Sequence, residues 1–290
     1  MKFKFVSALT FLSTFSSLIA SVAFGASDFQ TEVTNLETKL GAKIGFYAEA
    51  SDTTRILSSR EDERFLMCST FKAVLCAHVL SRVDQKLESL DRVIKYKASD
   101  LIQHSPETGK KAHNFKMSVR DLCKATVELS DNAAANLLLE ASGGPTALTH
   151  FLRTLGDQVT RLDRKEPELN NWSGDNFFDT TAPKAMVETL RKIFLQGTLT
   201  ETSRDLLKNW MLASETGARR LSAGLPKNWQ VADKTGTGPN GATNDIGLIY
   251  RPNGKAPIVF AAYISDSKAK LADREAALAH IASLVAKEMP

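Results

Sequence analysis

Strand-like segments stand at both ends of this chain and helix-like segments fill the space between them, an order that leaves few folds open. Residues 43–50 (KIGFYAEA) and 54–58 (TRILS) read as two strands with a turn at Ser51-Asp52. From about residue 70 to 213 helical patterning dominates. Within it, Ser118-Val-Arg-Asp121 is close to a capping box. A helix over 132–141 stops at Gly143-Gly144, and Pro145 suits the first turn of the next. Thr181 and Pro183 open another helix that runs to Gly197. Strand signals return at 229–232 (WQVA), 245–250 (DIGLIY) and 258–264 (IVFAAYI), punctuated by turns such as Pro252-Asn-Gly254, and an amphipathic helix covers about 270–288.

The two ends therefore share one antiparallel sheet, with the helices inserted between them. The expected class is α/β (α+β), a sheet flanked by helices with an inserted all-helical domain. Its parts are 26–65 with 214–290, and 66–213. The second part includes 161–180, an Ω-type loop rich in Asp, Asn and Pro, and loops of this length in compact domains are usually functional or disordered.

The N-terminus is set apart from the rest. Met1-Lys-Phe-Lys4 is basic, and the stretch to Phe24 is apolar, Ser/Thr-rich and uncharged. Small residues at Ala23 and Gly25 suit cleavage after Gly25, with Ala23 as the second choice, so residues 1–25 read as a secretory signal. A transmembrane anchor is the competing reading, weakened by the many serines. The mature chain would begin near Ala26, soluble in the periplasm, with no membrane segment and no lipobox cysteine. A formal net charge of +4 without a basic stripe gives no case for nucleic acid. Three cysteines, Cys68, Cys76 and Cys123, fit no zinc pattern, and export permits one disulfide with one thiol left over. No metal or cofactor site is expected.

Three short motifs carry chemistry. In Ser69-Thr-Phe-Lys72 the spacing puts a hydroxyl and an amine on one face of a helix start, where the lysine can take the serine's proton or hold the electrostatics for another base. In Ser130-Asp-Asn132 a second serine near a lysine can pass a proton to a leaving nitrogen, and Asn132 can bind a carbonyl. Lys234-Thr235-Gly236, continued by Thr237, follows a strand. Its lysine and threonine can bind a carboxylate while its backbone holds an extended substrate, and Gly236 permits close approach. Each motif alone is commonplace: an ordinary capped helix accounts for the first two.

In this order and at these intervals the three resemble the S-x-x-K, S-D-N and K-T-G set of class A β-lactamases and penicillin-binding proteins. The resemblance covers nearly all of the mature chain, and the family's architecture agrees with the element order. Within 161–180, Glu166-Pro-Glu-Leu-Asn170 is similar to the class A E-x-x-L-N element. This resemblance implies a serine β-lactamase acting on small-molecule β-lactams, as a monomer, in antibiotic resistance. Ser69 is then the nucleophile, Ser130 the proton donor to the lactam nitrogen, and Glu166 with Asn170 the holders of the deacylating water. Lys72, or Glu166 through water, is the acylation base. The resemblance also implies an oxyanion hole at the N–H groups of Ser69 and Thr237 and an Arg164–Asp179 tie across the loop.

Several positions depart from the commonest pattern. Residues 242–245 (ATND) lack the arginine that many relatives carry after K-T-G, while Arg220 matches the position used instead in the carbapenem-hydrolysing branch, which also favours threonine at Thr237. Carbapenems thus stay open as substrates. Cys68 is similar to that branch too, but its usual partner position is Gly238. Cys76 and Cys123 match the disulfide of another class A group, leaving Cys68 free. His104 stands where the family has an aromatic residue at the cleft entrance, and it either stacks on substrate or has no role. Two rivals share the three motifs: a D-Ala-D-Ala carboxypeptidase or other penicillin-binding protein, and a β-lactam sensor domain. Glu166 and Asn170 argue against the first, and the lack of a signalling span beyond the N-terminus against the second.

Overall fold

The computed structural model describes residues 24–290, with side chains from Asp28 onward, so the signal segment read at 1–25 lies outside the described residues apart from the backbone of its last two positions. Helix α1 (Phe24–Leu40) leads into β1 (Lys43–Ala50) and β2 (Ile56–Ser59), and a short β3 (Phe65–Leu66) precedes α2 (Phe71–Asp84). Then follow β4 (Val93–Lys95), α3 (Pro106–Lys110), β5 (Lys116–Ser118), α4 (Val119–Glu128), α5 (Asn132–Ala141) and α6 (Gly144–Thr154). A long loop ends at β6 (Thr180–Thr181), followed by α7 (Pro183–Leu195) and α8 (Glu201–Leu212). The chain closes with β7 (Gln230–Thr237), β8 (Thr243–Tyr250), β9 (Ile258–Ser265) and α9 (Leu271–Glu288).

Strands from the two ends of the chain form one five-stranded antiparallel sheet in the order β2-β1-β9-β8-β7, as the sequence predicts. β1 pairs with β9 from Lys43 opposite Ser265 to Ala50 opposite Ile258, so neither end of the chain can hold its strands without the other. Both faces of the sheet are covered. One packs on α1 and α9 through Phe46, Ile249, Phe260, Leu278 and Ile281. The other joins the helices through Tyr47, Ile246, Leu248, Val259 and Tyr263. Burial on both faces explains why 258–264 reads as a continuous apolar run rather than an alternating one.

The helices surround α2, in which every residue from Phe71 to Ser81 is buried. A helix apolar on all sides belongs at the centre of a domain, and here it carries the polar Lys72 into that centre. Ser118 caps α4 by accepting a hydrogen bond from Asp121 N at 3.1 Å, and Asp131 caps α5 by accepting from Ala134 N at 2.9 Å. Three expectations shift. The second strand begins at Ile56, α1 has no counterpart in the sequence reading, and Lys234-Thr235-Gly236 lies inside β7 rather than after a strand. As the last strand of the sheet, β7 leaves one edge unpaired by any strand, facing the helices.

Candidate active site

Ser69 lies in a tight turn over Cys68–Thr70 that runs directly into α2, and Lys72 follows one turn later. The turn is strained, since Cys68 holds a left-handed φ of 46°. β7 runs close beside it. A Cβ at Gly236 would stand 2.8 Å from Met67 O and 3.2 Å from Ser69 N, so this glycine lets the strand approach the serine turn. At Gly238 a Cβ would stand 2.6 Å from Cys68 Sγ, so the buried Cys68 thiol fills the space a side chain there would take.

Lys72 is fully buried at the convergence of three elements. Its Nζ donates to Asn132 Oδ1 at 2.5 Å and to the Ser130 carbonyl at 2.8 Å, and lies 3.4 Å from Ser130 Oγ and 3.2 Å from Glu166 Oε1. Ser69 Oγ donates to that same Glu166 oxygen at 3.4 Å. Ser130, at a left-handed φ of 59° between α4 and α5, also accepts from Lys234 Nζ at 3.1 Å, so one hydroxyl stands between two ammonium groups. Burial lowers the pKa of Lys72, opposed by the Glu166 charge. Burial, and then the Lys72 charge, bring Lys234 down to about 7.

The long loop delivers Glu166, and its placement is fixed at several points. Asn136, one turn along α5 from Asn132, donates from Nδ2 to Glu166 O at 2.8 Å and accepts from Glu166 N at 3.0 Å. Asn170 Nδ2 donates to Glu166 Oε2 at 2.7 Å. Farther round, the buried Asp179 carboxylate accepts from Asp163 N at 2.7 Å, Arg164 N at 2.9 Å and Arg164 Nε at 2.6 Å, closing the loop on itself.

At the other end of the cleft, Arg220 is buried with its guanidinium on the Gly236 carbonyl (2.9 Å), the Asn244 carbonyl (2.5 Å) and the Thr237 hydroxyl (2.5 Å). Thr235 Oγ1 pairs with Thr216 Oγ1 at 2.5 Å. A cation and two threonine hydroxyls along a strand edge form a receptor for a carboxylate. His104 stands at the rim, its Nε2 3.0 Å from Leu129 O.

The predicted catalytic and substrate-binding residues are therefore gathered in one place. Ser69, His104, Ser130, Asn132, Glu166, Asn170, Arg220, Thr235 and Thr237 line a cleft of about 280 Å³. Lys72 and Lys234 lie buried behind Ser130, and Gly236 faces the serine turn. Sequence reasoning misses Thr216 and Asn136. The spacing of Asn136 from Asn132 on one helix face is a signal for the second, whereas nothing in the sequence marks Thr216. Cys76 and Cys123 lie apart, buried in the helical core as thiols, with Cys76 Sγ 3.7 Å from Cys123 O; the expected bridge is not formed here.

A serine, two lysines and a loop carboxylate in this arrangement suit acyl transfer to serine followed by base-assisted hydrolysis. The model of the β-lactamase enzyme family matches residues 28–289. The chain belongs to the class A β-lactamases. A β-lactamase of Streptomyces albus G is 40% identical over 268 residues, 91% of this chain and 85% of that protein. β-Lactamase L2 of Stenotrophomonas maltophilia is 41% identical over 87% of this chain and 82% of its own length. Among solved structures, an ancestral class A β-lactamase superposes with a TM-score of 0.87 at 49% identity, covering 90% of this chain and all of the other. The chain is thus a serine β-lactamase, a hydrolase of the antibiotic-resistance type. Among the described residues no helix is long and apolar enough to cross a membrane.

Proposed function

We propose that this β-lactamase opens the amide of penicillins and cephalosporins through an acyl-enzyme on Ser69. The observation that carries the reading is the convergence of Ser69 Oγ and Lys72 Nζ on one oxygen of Glu166. Ser69 Oγ attacks the lactam carbonyl carbon, and its proton passes to the Glu166 carboxylate, steadied by Lys72. The developing oxyanion rests on the N–H groups of Ser69 and Thr237. The C–N bond then breaks, the nitrogen takes a proton from Ser130 Oγ, and the proton held by Glu166 passes through Lys72 to restore the Ser130 hydroxyl, which leaves Glu166 a carboxylate again. For deacylation, Glu166 and Asn170 hold a water, Glu166 takes its proton, and the hydroxide attacks the ester. The product acid leaves and Ser69 regains its proton.

Asn132 and Asn170 bind the substrate's side-chain amide. Lys234, Thr235, Thr237 and Arg220 bind its carboxylate, β7 at Gly236 supplies backbone contacts, and His104 guards the entrance. Arg220 with Thr237 supports carbapenems as a further substrate class. The working unit is a monomer of two parts, 26–65 with 214–290 and 66–213, exported to the periplasm after loss of 1–25. There Cys76 and Cys123 oxidise to a disulfide while Cys68 stays a thiol.

The test is hydrolysis of a chromogenic cephalosporin by residues 26–290 beside a Glu166→Ala variant, followed by stopped flow and steady state. The expected result is continuous turnover by the wild type and a one-equivalent burst followed by a stall in the variant. A wild type that itself stalls after one equivalent overturns the reading in favour of a penicillin-binding target.

A further inference from the structure

Behind the contact between the long loop and the β7–β8 turn lies a second cavity, of about 130 Å³. Asn170 of the loop and Gly238 of the turn lie side by side, since a Cβ on Gly238 would stand 3.8 Å from Asn170 Oδ1. On the far side the walls are Phe65, Leu66, Trp172, Ala242 and Ile264, with Arg64 at the edge. Lys43, Glu63, Asn240, Ser265 and Asp266 complete a lining that is apolar on one side and polar on the other, and the volume is close to that of a cavity that accepts a single benzene ring. Two of the large apolar side chains left exposed are Trp172 (48%), which lines the cavity, and Phe177 (39%), which meets it edge to face with ring centroids 6.4 Å apart.

Four charged residues line the cavity, Lys43, Glu63, Arg64 and Asp266, and three of them are in ion pairs. Glu63 is paired with Arg60 at 2.7 Å, and Asp266 with Lys43 at 3.7 Å. Arg64 is half-buried and stacked over the Phe177 ring at 5.3 Å. Its Nη1 donates to Val159 O at 2.9 Å and Thr180 Oγ1 at 3.0 Å, and among the described residues no carboxylate pairs with it. Burial, and next the neighbouring Arg161, make its charge harder to hold. A guanidinium in such a setting is stabilised by an anion that presents two oxygens.

We propose that this cavity is a binding site, separate from the catalytic cleft, for a small aromatic carboxylate. The ring enters between Trp172 and the Leu66–Ala242 wall, and the carboxylate pairs with Arg64. The site bridges the long loop, which borders the catalytic cleft through Glu166 and Asn170, and the turn that follows Thr237 of the cleft, and it is therefore placed to modulate the enzyme.

Benzoate and its uncharged isostere benzamide test the proposal by NMR of the full mature protein labelled at tryptophan. The three indole N–H signals, from Trp172, Trp210 and Trp229, report location. The expected result is a saturable shift of the Trp172 signal with benzoate, at least tenfold weaker with benzamide, and unmoved Trp210 and Trp229 signals. Arg64→Gln abolishes the difference between the two probes, and Ser69→Ala leaves the shift in place. No movement at Trp172, or equal affinity for both probes, would each overturn it. None of these readouts depends on turnover, so failure here is distinct from failure of the acyl-enzyme reading.

Discussion

Lys234 illustrates how one buried side chain ties recognition to pH. Among the described residues its ammonium has Ser130 Oγ at 3.1 Å and the Thr235 carbonyl at 2.9 Å as hydrogen-bond partners, and burial brings its pKa down to about 7. Raising the pH through 7 discharges it, and a substrate carboxylate then loses one of its two cations. KM for a penicillin is expected to rise about tenfold between pH 6 and 8.5, with a smaller change in kcat, because loss of one charge-assisted bond costs about 1.5–3 kcal/mol. The control is the methyl ester of the same substrate, whose KM should stay flat. His78 carries the opposite lesson, for stability. Burial against Phe151, and then the charge of Arg82, lower its pKa to about 4, and among the described residues its Nδ1 finds no partner. Unfolded histidine takes up a proton near pH 6.5, whereas the native ring refuses it until about 4. The stability this ring contributes is therefore complete above 6.5 and falls away as pH drops toward 4. Urea unfolding at pH 7 and 4.5 should show the wild type losing about 2 kcal/mol more than His78→Leu. Equal losses would place the acid sensitivity elsewhere.

Among elements, the loop from Arg161 to Asp179 depends most on a single residue. It has two short helical turns but no long regular element, and its shape rests on the Asp179 carboxylate, which accepts two backbone N–H groups and one guanidinium hydrogen bond. Asp179→Asn keeps the volume and removes the charge, and breaking a buried charged network costs about 3–5 kcal/mol. Amide exchange across 163–178 should accelerate by two orders of magnitude or more. Turnover of the chromogenic cephalosporin should drop in step, since Glu166 rides on this loop, while exchange in α2 stays unchanged. The carboxylate that closes the loop and the one it presents were both legible in the sequence, because the family resemblance reached them residue by residue. Local chemistry marked α4 and α5 equally well through the caps at Ser118 and Asp131. Beyond the shared sheet, tertiary neighbours were not legible. Thr216 enters the cleft only because the stretch after α8 passes beside β7, and α1 draws its stability from packing on α9 rather than from its own pattern. The strand through Lys234 was cut short for a related reason: a threonine-glycine run lacks the apolar signal, yet its partner Thr243–Tyr250 holds it extended to Thr237.

For the molecule as a whole, catalysis and stability compete along the seam where the helices meet the sheet. Lys72 and Lys234 are both entirely buried there, alongside Asp233 and Asp245, whose carboxyls burial pushes upward, Asp233 to about 6. An interior assembled for stability alone would fill that space with apolar side chains, and replacing buried ions in this way often stabilises a fold. Lys234→Met should therefore raise Tm at pH 7 by several degrees, each 1 kcal/mol being worth about 2–4 °C in a chain of this size. The sign follows from the protons. The unfolded lysine keeps its proton to about 10.4, whereas the native one releases it near 7. Wild-type stability must then climb as pH rises from 7 toward 10, and in the variant this climb should vanish. Activity toward carboxylate-bearing substrates should fall by a hundredfold or more in the same protein. A variant that is less stable at pH 7, or that keeps the alkaline climb, would show that the Ser130 and Thr235 hydrogen bonds outweigh the burial of the charge. The trade between function and stability would then have to be sought at Lys72, whose oxygen neighbours at Ser130, Asn132 and Glu166 hold its charge more closely.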